Sequence, residues 1–140
     1  MRHFDVAIIG SGPSGASTAF YLGKKGISTV IIEKETLPRY KTCGGGFVNR
    51  GRKNMPFDIS EVIEKEFYAV DSYFNKNLHY QSKKEEPIIT MIMRDAFDHL
   101  LVKTAKEFGV TLLENHTLKN IDFKDNKAIL TTSEENISSD

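Results

Sequence analysis

The sequence predicts an α/β fold in which buried parallel strands alternate with helices. Two short apolar runs, Phe4–Ile9 and Ser28–Glu33, have the composition of strands that are covered on both faces. An amphipathic segment, Ser14–Lys25, lies between them and is followed by Gly26, a typical residue after a helix end. These three segments predict a βαβ unit, whose crossover should be right-handed. Asp95–Phe108 is a second amphipathic segment and continues the alternation.

The other elements are less regular. Asp58, with Glu61 three residues later, predicts the start of a helix that runs through Phe67. The charged segment "QSKKEEP" is expected to be a solvated connection. Strands are expected at Ala69–Phe74, Ile88–Met93, Thr111–Glu114, Leu118–Phe123 and Ala128–Thr132, the last two forming a hairpin that turns at "KDNK".

Composition limits the classes of protein to which the chain can belong. Its 140 residues suffice for one domain with one sizeable core. Lys plus Arg and Asp plus Glu both number 19, so no charge excess indicates a nucleic-acid partner. A single cysteine fits a reducing compartment, and no apolar run has the length of a membrane span or a signal peptide. The chain is therefore expected to be soluble and cytoplasmic. The four histidines show no metal-ligand spacing, and no metal is expected.

A glycine motif stands between the first strand and the first helix. In "IIGSGPSG", Gly10, Gly12 and Gly15 form the pattern G-x-G-x-x-G. The first glycine permits a sharp turn, the second lets the backbone approach a pyrophosphate, and the third lets helix and strand pack closely. The helix N-terminus attracts the anion through its free amides and its dipole. With Glu33 at the end of the second strand, where a carboxylate can accept hydrogen bonds from both ribose hydroxyls, the pattern predicts a dinucleotide site.

The choice of dinucleotide depends on Glu33 and on the segment that follows it. A carboxylate repels a 2′-phosphate, so NADP is disfavoured, and NAD and the ADP half of FAD remain. An NAD domain would continue into further βα units. This chain instead enters "PRYKTCGGG", Pro38–Gly46, in which three consecutive glycines could let a flavin or its ribityl chain lie against bare backbone. The break in the alternation favours FAD.

Four stretches together resemble the N-terminal part of the geranylgeranyl reductase family: "DVAIIGSGPSG", "VIIEKE", "PRYKTCGGGFVNRG" and "MRDAFDHLLVKTAKEFGVTL". These are FAD enzymes with a p-hydroxybenzoate-hydroxylase-like fold. The resemblance implies a Rossmann-like FAD-binding βαβ domain with a β-meander or hairpin. It also implies that residues 1–140 are a truncated N-terminal part of an FAD/NAD(P)-binding domain, without the family's second flavin motif, an Asp-Gly pair, and without its substrate-binding portion. Such a fragment is expected to bind FAD weakly, to aggregate and to lack activity.

The resemblance also implies which residues contact FAD. Those at the pyrophosphate turn and the ribose are Gly10, Gly12, Pro13, Ser14, Gly15, Glu33 and Lys34, and those on the flavin side are Cys43, Gly44 and Gly46. Further contacts with FAD are implied for Arg39, Arg94 and, through its main chain, Leu118. Arg39 and Arg94 could equally be ordinary loop and surface residues. Cys43 could lie near a reacting substrate or touch the cofactor through its amide alone, and it is the one weak candidate for a catalytic residue.

The function that the resemblance implies is FAD-dependent reduction of carbon–carbon double bonds in isoprenoid chains, a part of lipid metabolism. The substrate would be an isoprenoid or another apolar small molecule, and a reduced nicotinamide or a ferredoxin-type protein could donate electrons. Peripheral contact with a membrane is compatible with this chemistry. A flavin-dependent monooxygenase or halogenase, and a non-catalytic FAD- or nucleotide-binding module, remain as alternatives.

Overall fold

The structure is a computed structural model that describes residues 1–76 and 78–140. Its strands are β1 (Arg2–Phe4), β2 (Val6–Ile9), β3 (Thr29–Ile32), β4 (Gly46–Val48), β5 (Ile63–Phe67), β6 (Ala69–Phe74), β7 (Leu78–Lys83), β8 (Ile89–Ile92), β9 (Thr111–Leu113), β10 (Leu118–Lys124), β11 (Lys127–Thr132) and β12 (Asn136–Ser139). Its α-helices are α1 (Pro13–Lys24), α2 (Asn49–Lys53) and α3 (Arg94–Glu107).

The described residues form two compact units. The first comprises Met1–Tyr40 and Asp98–Asp140, and the second comprises Lys41–Phe97. The helices α1 and α3 confirm the two amphipathic segments, each beginning and ending one residue earlier than predicted. The short helix α2 was not predicted. In the described part of the chain, no helix is both long enough and apolar enough to cross a membrane.

The first unit contains the predicted βαβ unit. Parallel strands β2, β3 and β9 form a sheet with β3 in the middle, and α1 connects β2 to β3 and contacts both strands. All four residues of β3 are buried, which is typical of a parallel strand covered on both faces. Ala16 and Ala19 of α1 are fully buried, and their small side chains allow the helix to approach closely.

A second sheet in the same unit has the order β1-β12-β11-β10. The prediction of one strand over Phe4–Ile9 is wrong. Asp5 separates two strands, β1 and β2, which belong to different sheets. The Asp5 carboxylate accepts a hydrogen bond from the Ser28 amide at 2.9 Å, which connects the residue between β1 and β2 to the residue before β3. Phe4, Val30, Ile32, Leu113, Leu130 and Ile137 form a core cluster of this unit.

The predicted hairpin is confirmed as β10 and β11. Asp125 and Asn126 form its turn, and both have positive φ, as a two-residue turn of type I′ requires. The strand β12 was not predicted. It pairs in parallel with β1 and in antiparallel with β11, so it lies inside the sheet.

In the second unit, β8 lies between β4 and β5, and both pairings are antiparallel. The prediction of a helix from Asp58 to Phe67 is wrong. A single 3-10 turn at Ser60–Val62 leads into β5, and the Asp58 carboxylate accepts bonds from the amide and hydroxyl of Ser60 without starting an α-helix. Pairing with β8 decides the conformation here, because tertiary context overrides local propensity.

The strands β6 and β7 form a separate two-stranded ribbon. The prediction that "QSKKEEP" is wholly a connection is wrong in its first half, since β7 extends through Lys83. The two faces of the ribbon differ in character. Tyr73 stacks on His79 with a centroid distance of 4.7 Å, and Asp71 accepts bonds from Gln81 and His79 on that face. Phe74, on the opposite face, is 66% exposed.

Candidate cofactor site

The glycine motif forms a tight turn between β2 and α1. Gly10 has a φ of 92°, and its amide donates to the Ile32 carbonyl of the neighbouring strand at 2.8 Å. A Cβ atom on Gly15 would lie 2.2 Å from the Gly10 carbonyl oxygen, so no other residue fits there. Gly12 is the N-cap residue of α1 and Pro13 follows in the first turn. No side chain caps the helix, so its first amides are available to an anion.

Glu33 immediately follows β3, and only 4% of its surface is exposed. Its Oε2 atom accepts hydrogen bonds from the Ser11 amide at 2.9 Å and from the Ser11 hydroxyl at 2.6 Å. Its Oε1 atom accepts a bond from the Glu35 amide at 3.1 Å. The main chain of Glu33 is also fixed, because its amide donates to Leu113 and its carbonyl accepts from His116. The ribose carboxylate predicted from the sequence is therefore joined directly to the phosphate turn.

These contacts keep Glu33 ionised. Burial alone would raise the pKa of this carboxyl. The bonds from the Ser11 hydroxyl and amide and from the Glu35 amide oppose that effect, as does the charge of Arg39, and together they hold the pKa below its ordinary value. An ionised carboxylate can only accept hydrogen bonds, which suits it to the hydroxyl groups of a ribose.

Arg39 is largely buried and lies between two carboxylates. Its Nε atom is 3.4 Å from Glu33 Oε2, and its Nη1 atom is 3.1 Å from Asp98 Oδ2. The side chain of Asp98 is completely buried, and Phe97, Leu101 and Val102 beside it on the helix are buried as well. Arg39 was predicted to contact the cofactor or to be an ordinary loop residue, and the structure pairs it with the Glu33 carboxylate. Ser11 and Asp98 were missed, since neither stands in a recognised motif.

The glycine loop of the second unit is Cys43–Gly46. At one of its positions the backbone conformation itself requires glycine. This is Gly45, which has a φ of 72°, and a Cβ there would lie 2.4 Å from the Ile92 carbonyl oxygen. The residues predicted from the sequence were its neighbours, Gly44 and Gly46. Around Gly44 the described chain leaves open space, and at Gly46 a Cβ would make an ordinary contact of 3.6 Å with Ile89. Cys43 is exposed, and its sulphur accepts a bond from the Gly45 amide at 3.5 Å.

The other predicted cofactor residues occupy varied environments. The Lys34 side chain is exposed, with Nζ 3.7 Å from the Glu35 carboxylate. Ser14 is exposed in the first turn of α1. Arg94 is half-buried and is the first residue of α3. Leu118 begins β10, and its side chain packs against the core cluster, so only its main chain is suited to a ligand.

One group of potential metal ligands lies away from the sequence motifs. His3, Asp5 and Asp140 have ligand atoms within 4.8 Å of one another, and all three residues are exposed. The Lys127 ammonium lies 3.7 Å from the Asp140 carboxylate and competes for it. We assign no metal to this group.

The arrangement in the first unit defines a class of protein, since a glycine turn between β2 and α1 and a carboxylate after β3 form a dinucleotide-binding βαβ fold. Residues 3–139 match the FAD binding domain family, and the chain belongs to that family. It is 31% identical, over 123 residues and 84% of its length, to the chloroplastic geranylgeranyl diphosphate reductase of Arabidopsis thaliana. The resemblance inferred from the sequence is thereby confirmed.

Two solved structures share the fold. A geranylgeranyl bacteriochlorophyll reductase-like protein from Thermoplasma acidophilum superposes with a TM-score of 0.83 at 22% identity, covering 99% of this chain and 37% of that protein. The halogenase PltM, in complex with phloroglucinol and FAD, superposes with a TM-score of 0.79 at 17% identity, covering 97% of this chain and 33% of that protein. The chain spans only 26% of the length of the plant reductase.

The cofactor of the chain is FAD, as the sequence predicted, and the residues present fit its ADP half. The lack of room for a Cβ at Gly15 lets α1 pack closely on β2. The N-terminus of α1, which no side chain caps, is suited to a pyrophosphate, and the acceptor-only Glu33 carboxylate is suited to a ribose hydroxyl. The chain is thus an FAD-binding flavoprotein domain.

Proposed function

We propose that this chain is the N-terminal FAD-binding part of a reductase that saturates carbon–carbon double bonds in isoprenoid chains. The observation that carries the proposal is the segment Pro38–Gly46, with its single cysteine and three glycines, together with the identity to a plant geranylgeranyl diphosphate reductase. The dinucleotide turn alone would fit any flavoprotein of this fold, so the substrate class depends on this segment.

The residues of the first unit hold the ADP half of FAD in this proposal. The amides of Gly12, Ser14 and Gly15, at the N-terminus of α1, bind the pyrophosphate, and Glu33 accepts a bond from the adenosine ribose. The Gly10 and Ser11 amides already donate within the protein, and Pro13 has no amide hydrogen. A carboxylate oxygen accepts about two hydrogen bonds. The two bonds from Ser11 fill Oε2, whereas Oε1 accepts one bond from the Glu35 amide and keeps capacity for another donor. This geometry supports recognition of one ribose hydroxyl by Oε1, not of both hydroxyls by the carboxylate as first expected.

The glycine loop holds the flavin side. Gly44 has a negative φ and open space around it, so the described chain alone would accept a side chain at this position. A glycine that the protein does not need is explained if a ligand approaches the backbone there. Cys43 orients the loop through the bond from the Gly45 amide, which supports a contact of its own amide with FAD more than a role for its thiol in the reaction.

When bound, FAD supplies the hydride-transfer chemistry, and the residues named here bind and orient it. We assign no catalytic side chain within the chain. The electron donor would be a reduced nicotinamide or a ferredoxin-type protein, and the substrate an isoprenoid or a comparably apolar molecule.

A flavin-dependent halogenase or monooxygenase is the second candidate. The specific observation that favours it is the TM-score of 0.79 against the halogenase PltM, which is known with FAD and phloroglucinol bound. Such enzymes share the ADP site and differ in what reacts with the flavin, so the first unit does not distinguish them.

The test is to purify the longest protein that the reading frame containing this chain encodes, loaded with FAD. In the absence of oxygen, it is incubated with a geranylgeranyl lipid and one of three reductants: reduced nicotinamide, reduced ferredoxin or dithionite. The masses of the products are then measured by mass spectrometry. We expect two hydrogen atoms to be gained for each double bond reduced. A parallel incubation contains oxygen, a halide salt and an aromatic compound. Halogenation or hydroxylation of that compound, together with an unchanged lipid in the oxygen-free reaction, would favour the second candidate.

A further inference from the structure

The buried Asp98 in α3 has a charge that the fold must compensate. The residues beside it in the helix, Phe97, Leu101 and Val102, are all at least 97% buried. An isolated carboxylate in such surroundings is strongly disfavoured unless it is paired and hydrogen-bonded. The Arg39 guanidinium supplies that pairing through Nη1 at 3.1 Å. A buried charge pair adds little net stability, so its presence calls for another explanation.

Arg39 reaches Asp98 and Glu33 through different nitrogen atoms. Nη1 donates to Asp98, while Nε faces Glu33 Oε2 at 3.4 Å. The guanidinium is planar and rigid, so fixing Nη1 also fixes the direction of Nε. Asp98 therefore determines where the positive charge lies against Glu33, although it does not itself contact Glu33.

The charge on Arg39 faces one particular oxygen of Glu33. This oxygen, Oε2, is the one that already accepts both bonds from Ser11, so all of these groups hold the same side of the carboxylate. The other oxygen, Oε1, accepts the Glu35 amide at a longer distance of 3.1 Å. The carboxylate plane is thus fixed from one side, and the acceptor capacity that remains is on Oε1.

We propose that Asp98 is a positioning residue of the cofactor site, which acts through Arg39 to orient Glu33 Oε1 toward a hydroxyl of the adenosine ribose. This inference depends on the proposed role of Glu33 as the ribose acceptor. It assigns to α3 a part in cofactor recognition. It also explains why an acidic side chain is buried beside Phe97, Leu101 and Val102.

The test combines a protein variant with a ligand variant. Binding of ADP and of 2′,3′-dideoxy-ADP to the full chain is measured by calorimetry or by chemical-shift titration. The wild type should prefer ADP by about tenfold or more, the equivalent of one hydrogen bond to a charged group. Asp98→Asn should weaken ADP roughly threefold to tenfold and leave dideoxy-ADP within about twofold, since only the hydroxyl contact depends on the orientation of Glu33. Asp122→Asn, the same change at an exposed site in β10, should alter neither affinity.

Each result either supports or overturns the proposal. An equal loss for both ligands in Asp98→Asn would mean that Asp98 serves the fold alone, and an unchanged ADP affinity would overturn the proposal outright. Should Asp98→Asn fail to fold, Arg39→Lys keeps the charge but removes the two-nitrogen geometry, and it should give the same loss confined to ADP. Glu33→Gln tests the proposed role of Glu33 separately. If this variant has the same affinities for ADP and dideoxy-ADP as the wild type, Glu33 is not the ribose acceptor.

Discussion

The Ser11 hydroxyl and the Ser11 amide donate to the same oxygen of Glu33, at 2.6 and 2.9 Å. Ser11 lies within the phosphate turn after β2, and Glu33 follows β3. The two parts of the ADP site are therefore one hydrogen-bonded structure rather than two independent contacts. A substitution of either residue should therefore change the hydrogen bonding of the other, and variants of this pair test both parts of the proposed site.

Ser11→Ala should lower the free energy of unfolding by about 1.5–3 kcal/mol, the range for a hydrogen bond to a charged group. The variant leaves a buried carboxylate with one donor fewer, and it should also weaken ADP binding. The measurement is urea denaturation. Ser14→Ala is the matched control, because Ser14 is exposed in the same turn and its loss should change the stability by no more than about 0.5 kcal/mol. Equal stabilities for the two variants would contradict the prediction.

The depressed pKa of Glu33 predicts a pH dependence. Because the folded state favours the ionised form, Glu33 contributes stability at pH values above its ordinary pKa. That contribution is lost as the pH falls through the lower pKa of the folded state. The difference in unfolding free energy between wild type and Glu33→Gln should therefore shrink between neutral pH and pH values below the ordinary pKa. Other carboxyls with lowered pKa values, such as Glu135, are common to both proteins and cancel in the difference. A difference independent of pH would contradict the assignment.

Strongly patterned elements could be predicted from the sequence. The turn containing Gly10 and Gly15, the helices α1 and α3, and the hairpin of β10 and β11 combine periodicity with turn chemistry, and all are present. The pattern of glycines and an acid after the second strand predicted a dinucleotide site. The break in the βα alternation at Pro38–Gly46 then favoured FAD, which the family match confirms.

What could not be predicted depends on pairing partners distant in sequence. Asp58 has the residue pattern of a helix start, but residues 63–67 that follow it pair with β8 as a strand. The ribbon of β6 and β7 turns at Asn75 and Lys76, which adopt positive φ without a glycine to indicate it. Asp98 resembles a solvated residue in the helix periodicity, and its pairing with Arg39, from another part of the chain, could not be predicted.

The glycine loop offers a matched pair of variants. Gly45→Ala should destabilise the fold by about 1–3 kcal/mol, because alanine at a φ of 72° is strained and its Cβ would meet the Ile92 carbonyl. Gly44→Ala should leave stability unchanged, since it has open space. If the flavin lies against this backbone, Gly44→Ala should nevertheless weaken FAD and leave ADP unaffected. Thermal denaturation and parallel titrations measure both effects, and an unchanged FAD affinity would remove Gly44 from the site.

Glu33→Ala should weaken ADP binding by about 1.5–3 kcal/mol through loss of the ribose hydrogen bond. The affinity for dideoxy-ADP should change much less. Calorimetric titration of both ligands measures the effect, and the comparison separates loss of the hydroxyl contact from general damage to the turn. A loss of ADP affinity well below this range would mean that another group binds the ribose.

Gly12→Val should abolish binding of ADP and FAD while the fold persists. Gly12 has a φ of −68° and a ψ of 174°, an extended conformation that valine also adopts, so the backbone itself does not require glycine. The requirement comes instead from the pyrophosphate, which needs close access to the backbone at the N-terminus of α1. Circular dichroism should therefore show a folded protein, while titration with ADP shows no saturation. Thr18→Val, an exposed change nearly two turns further along the same helix, is the control and should bind ADP as the wild type does. An ADP affinity within twofold of the wild type in Gly12→Val would show that the phosphates lie elsewhere, and the assignment of the whole turn would have to be abandoned.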